Sequence, residues 1–136
     1  MFEQINKLII QLMAVQSLCK DIHYTCKGES FYSKHLLVDR IQENLNEYID
    51  TIKEIFFLAK GEIPESSAIY LANASNIIPP TKSEDKQNFE NLQELIIAVM
   101  QTLEGINTKT KGESSVIDSI SQDLQQSLGL INRQLY

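Results

Sequence analysis

Apolar side chains recur along this chain at intervals of three and four residues, and runs of strict apolar–polar alternation are essentially absent. That is the period of helices that each bury one stripe. Over residues 2–27, Ile5, Leu8, Ile9, Leu12, Met13, Val15, Leu18, Cys19 and Ile22 share a face, and Gly28 follows as a C-terminal cap. A second helix is predicted over 30–60, capped by Ser30, with Leu36, Leu37, Ile41, Leu45, Tyr48, Ile49, Ile52, Ile55, Phe56 and Ala59 inward. Gly61 and Pro64 end it. A third is predicted over 83–107, with Ser83 as cap, Glu84 and Asp85 in the first turn, and Phe89, Leu92, Leu95, Ile96, Val99 and Leu103 inward. After the polar turn NTKTKGES, a last helix is predicted over 114–135 through Val116, Ile117, Ile120, Leu124, Leu128 and Ile131.

Between the second and third helices, residues 62–83 carry Pro64, Pro79 and Pro80 around ESSAIYLANAS, a short helix with Ser66 or Ser67 as cap. Four helices, with short turns after the first and third and a long crossover between the second and third, predict an all-α, ferritin-like four-helix bundle. Residues 1–136 suffice for one domain of this kind. The crossover would carry the short helix.

Composition narrows the function classes. A net charge of −6 argues against a phosphate-gripping surface and suits a protein that attracts cations. Cys19 and Cys26 lack the C-x-x-C spacing of redox or zinc sites, and are expected to be buried, reduced thiols. No apolar run reaches the roughly 18–20 residues of a membrane span, and no charged leader precedes the first helix, so a cytoplasmic protein is expected. Serines lack a partnered base, and there is no Gly-rich phosphate loop.

The chemistry concentrates in IHYTCKGESFYSKHLLVDRIQENLNEYIDTIKEIFFLAKG, which holds both histidines. His35 and Asp39 are four apart, as are Asp50 and Glu54, so each pair stands on one helix face as half of a metal site. A tight hairpin at Gly28 would return His23 to the side of His35. On a straight helix, Asp39 and Asp50 are separated by about 16 Å of rise, with an angular offset of only about 20°. They share a stripe but not an ion. If both pairs serve one centre, the second must come from another copy of the chain across a two-fold axis. No glutamate here is followed by histidine at i+3, which excludes the Glu-x-x-His centre inside a single bundle.

His23, Gly28, Phe31, His35, Asp39, Asp50, Glu54 and Gly61 follow the register of a known signature: His-Trp-x-x-x-Gly, then Phe and His-x-x-x-Asp, then Asp-x-x-x-Glu before a glycine. In this the chain resembles the Dps family, the dodecameric mini-ferritins, and PESSAIYLANASNI resembles the short helix of that family's crossover. The resemblance implies a ferroxidase that oxidises Fe(II) with hydrogen peroxide or dioxygen and stores ferric iron inside a homo-dodecamer. It implies that His23, His35 and Asp39 of one subunit face Asp50 and Glu54 of its neighbour, at a two-iron site. Tyr24 stands where the family has tryptophan, Lys53 where it has alanine and Ile55 where it has arginine. The lysine-rich tail of DNA-binding members is missing, so DNA binding is not expected.

The plainer readings are an ordinary i, i+4 polar pair for His35 and Asp39, and a solvated acidic face for Asp50 and Glu54. They correspond to a ferritin-like scaffold or interaction protein that binds metal weakly or not at all. The joint register favours metal. Tyr24, Tyr32 and Tyr48 are expected to pack rather than carry redox chemistry. Glu113, Asp118 and Asp123, near the start of the last helix, match acidic residues that line an iron pore in related shells, or else merely favour a helix N-terminus.

Overall fold

The computed structural model describes residues 2–136. The fold is all-α: α1 Phe2–Thr25, α2 Phe31–Gln42, α3 Leu45–Phe56, α4 Ser67–Ser75, α5 Asp85–Glu104 and α6 Lys111–Leu135, with a 3-10 turn at Leu58–Lys60. No strand occurs among the described residues. Among them, no helix is long and apolar enough to cross a membrane.

Helix α1 is the hub. Its stripe Ile5, Leu8, Ile9, Leu12, Val15, Leu18, Cys19 and Ile22 is buried, and the helix packs against α2, α3, α4 and α5. Helix α6 closes the other side, against α2, α3 and α5. Their shared core adds Val38, Ile41, Leu45, Ile52 and Phe56 from the middle of the chain and Phe89, Leu92, Ile96 and Val99 from α5. Each such side chain contributes about 1.5–3 kcal/mol on burial, so this stripe-to-stripe packing rather than helix propensity sustains the fold.

The long second helix of the sequence reading is interrupted. Glu43 keeps helical backbone angles (−53°, −43°) but Asn44 moves to −98°, 0°, and α3 begins at Leu45. Asparagine tolerates this bridge conformation because its short polar side chain competes for backbone hydrogen bonds. The core stripe nevertheless continues from Ile41 to Leu45 and Ile49, so the interruption bends the segment without ending its burial. Leu36 and Ala59, expected inward, are exposed.

The ends also differ from expectation. Ser30 is not a side-chain cap: it sits in the left-handed region at φ 64° with no capping hydrogen bond. Ser83 does not open α5 either; Glu84 precedes the helix with no side-chain cap. The last helix starts three residues early, because Thr110 Oγ1 accepts the Glu113 N–H at 3.1 Å. In the crossover, Ser66 does cap α4, accepting from the Ile69 N–H. Tyr70 fastens that helix to α1, its hydroxyl donating to Asn6 Oδ1 at 2.6 Å.

Candidate metal centre

The turn between α1 and α2 builds the site. Gly28 at φ 79° and Ser30 at φ 64° reverse the chain within a few residues, and the Phe31 N–H bonds the Gly28 carbonyl at 3.1 Å. This tight hairpin stacks the His35 ring on the His23 ring, centroids 3.6 Å apart and planes 26° apart. Asp39, one turn beyond His35, places Oδ1 2.8 Å from His23 Nδ1. One ligand atom from each of His23, His35 and Asp39 lies within 4.8 Å of the other two. All three side chains are partly buried.

Two details bear on what the cluster can hold. His35 Nδ1 lies 3.0 Å from the His23 carbonyl. A carbonyl only accepts, so Nδ1–H is the donor and Nε2 is the ring nitrogen left for a ligand, the kind of outer contact that orients metal-binding histidines. Second, the close approach of His23 Nδ1 to Asp39 lacks hydrogen-bond alignment, which leaves that buried nitrogen without a hydrogen-bonded partner. Two ligands at right angles on a divalent ion, each about 2.1 Å from it, would be about 3 Å apart. The spacing fits joint ligation.

Asp50 and Glu54 do not join this cluster. Both lie on α3, beyond the bend, with exposed side chains. Aromatic and aliphatic groups surround the histidine half instead. Tyr24 meets the edge of His23 at 4.8 Å and Phe31 tilts over His35 at 5.2 Å. Tyr24 and Tyr32, expected to pack, are 81% and 69% exposed, with Phe31 and Leu36 exposed beside them.

The turn is also held from a distance. Asp85 Oδ2, on the first residue of α5, accepts the Lys27 N–H at 3.1 Å and the Lys34 ammonium at 2.9 Å. These two donors hold the Asp85 carboxyl below its ordinary range, although burial pushes the other way. Nothing in the local pattern signals these contacts, because they join positions more than fifty residues apart.

Neither cysteine joins the cluster. Both are free and buried; burial, aided by the Asp39 charge, pushes the Cys19 thiol up, and burial does the same at Cys26. Of the acidic residues near the start of α6, only Asp118 is exposed. Glu113 is buried, paired with Lys60 at 3.1 Å and accepting the Lys109 N–H, which fastens the start of α6. Asp123 accepts the Tyr48 hydroxyl at 2.7 Å.

No protein-family model and no curated protein matches this chain.

Proposed function

We propose that this chain is a mini-ferritin-like ferroxidase that oxidises Fe(II) at sites shared between two copies and retains the ferric product inside a dodecameric shell. In this reading the fold is a ferritin-like four-helix bundle, with α2 and α3 as one bent leg and α4 lying in the crossover. The observation that carries it is the half-built site: His23, His35 and Asp39 converge while Asp50 and Glu54 stay outside, exposed. A rim of exposed Tyr24, Phe31, Tyr32 and Leu36 supports a second copy as the missing half.

Fe(II) is the substrate. Imidazole and carboxylate ligands suit it, and a mixed set leaves coordination positions open to an oxidant. Two Fe(II) ions held together give up one electron each, so one peroxide with two protons becomes two waters and two Fe(III) form. The residues bind, orient and neutralise charge. His35, fixed by its Nδ1–H contact, presents Nε2, and the carboxylates favour Fe(III) over Fe(II) by charge.

The test is anaerobic loading of Fe(II) followed by peroxide, read by absorbance of soluble ferric iron. The protein should oxidise iron faster than buffer, and His35→Ala should reduce this by at least about tenfold, since loss of even an outer partner of a metal ligand typically costs about 10–100-fold. Oxidation no faster than buffer by verified assembled protein would leave the non-catalytic scaffold as the better reading.

A further inference from the structure

We infer that Asp85 is a positioning residue for the metal centre: from the start of α5, its carboxylate sets the geometry of the turn that brings His23 and His35 together. The inference rests on the ferroxidase reading above only for the identity of the site it serves.

The local bonds of this turn, Phe31 N–H to the Gly28 carbonyl and the Ser33 hydroxyl to the Ser30 carbonyl, stay within residues 28–33 and do not tie it to the rest of the fold. Ser30 occupies the left-handed region that disfavours side chains with a Cβ, and it makes no capping bond in return. A backbone in such a conformation persists only when surrounding contacts over-determine it. Those contacts converge on Asp85. Its Oδ2 accepts Lys27 N–H at 3.1 Å, four residues after His23, and Lys34 Nζ at 2.9 Å, one residue before His35. Lys34 Nζ also reaches the Lys27 carbonyl at 3.4 Å, which closes a three-membered lock across the turn. The ion pair is sheltered, with side-chain exposures of 17% for Lys34 and 11% for Asp85.

The lock has a rigid anchor. Helix α5 packs along α1, the helix that bears His23, so Asp85 refers the moving end of the hairpin to the same frame as the first ligand. A carboxylate in the first turn of a helix is itself favoured by the helix dipole. Releasing it frees Lys27 and Lys34 together, and rotation at either end displaces the His35 ring from the His23 carbonyl that sets its tautomer. The consequence falls on ligand geometry, beyond any loss of stability.

Co(II), which reports its ligands by visible absorption, separates the two effects. It is titrated into the wild-type chain, Asp85→Asn, Asp85→Ala, Glu113→Gln and His35→Ala, with thermal unfolding recorded for each. Asp85→Ala should weaken Co(II) binding by about 10–100-fold, as outer contacts of metal ligands typically do, and should alter the absorption bands. Asp85→Asn keeps the fold's shape and an acceptor for Lys27, and should lose less. Glu113→Gln breaks the other sheltered pair, remote from the turn, and should lower the melting temperature while leaving Co(II) affinity and spectrum unchanged. Wild-type affinity and spectrum in both folded Asp85 variants, with binding abolished in His35→Ala, would overturn the positioning role and spare the ferroxidase reading. Affinity falling equally in Glu113→Gln and the Asp85 variants would also overturn it, as a generic loss of stability. Undiminished binding in His35→Ala would overturn both.

Discussion

Glu113 shows how far a single residue can be placed from sequence. Its position near a helix start was legible, and Thr110-x-x-Glu113 has the spacing of a capping box. Its carboxylate, however, takes the N–H of Lys109 and the Lys60 ammonium, and Lys60 stands outside that helix, so the pair has no local signature. The Lys109 N–H and Lys60 hold the carboxyl below its ordinary value of 4.5. A lowered carboxyl stabilises the fold above that ordinary value, and the contribution disappears as pH falls through the folded one. Glu113→Gln should therefore destabilise the protein at neutral pH by about 1.5–3 kcal/mol, as for hydrogen bonds to charged groups. Melting curves of the two proteins should converge at acid pH. A gap that persists or widens below pH 3 would contradict the assignment. The candidate pairs His35–Asp39 and Asp50–Glu54 were easier to single out than the Glu113 contacts, because an i, i+4 relation is one the helix itself enforces.

At the scale of elements, the 3.6-residue period located α1, α5 and α6, whose buried faces are the predicted ones. It missed the bend at Asn44 because the apolar stripe runs across it without a break, and periodicity reports burial rather than backbone continuity. It placed Leu36 inward for a related reason: the period marks an apolar face without saying which molecule covers it. Glycine shows the same dependence on element. Gly61 ends the 3-10 turn at φ 70°, whereas Gly129 lies inside α6 with no atom within 4 Å of an added Cβ. Gly61→Ala should cost about 1–2 kcal/mol through left-handed strain, while Gly129→Ala should stabilise by about 0.5–1 kcal/mol through helix propensity. Thermal unfolding of both variants checks this, and shifts of the same sign would contradict it.

For the whole molecule, the decisive question is whether a second copy brings Asp50 and Glu54 to the cluster. Three partly buried candidate ligands, His23, His35 and Asp39, lie together beside exposed Tyr24 and Phe31, and two further carboxylates stand on α3 without entering the cluster. The i+4 spacings made the two pairs legible, but Asp39 lies on α2 and Asp50 on α3, so the straight-helix distance does not carry over, and no property of one chain fixes how two copies would meet. The most direct measurement is therefore complementation. His35→Ala and Asp50→Ala chains are each assembled alone and then co-assembled, and Fe(II) oxidation by peroxide is followed in all three. Each parent carries one lesion in both symmetric sites and should be inactive. In the mixed dimer, one site takes His23, His35 and Asp39 from the Asp50→Ala chain, and Asp50 and Glu54 from the His35→Ala chain. Activity should return to about half the wild-type value per dimer, one intact site of the two that symmetry provides. Verified mixed dimers as inactive as their parents, beside an active wild type, would contradict the shared site.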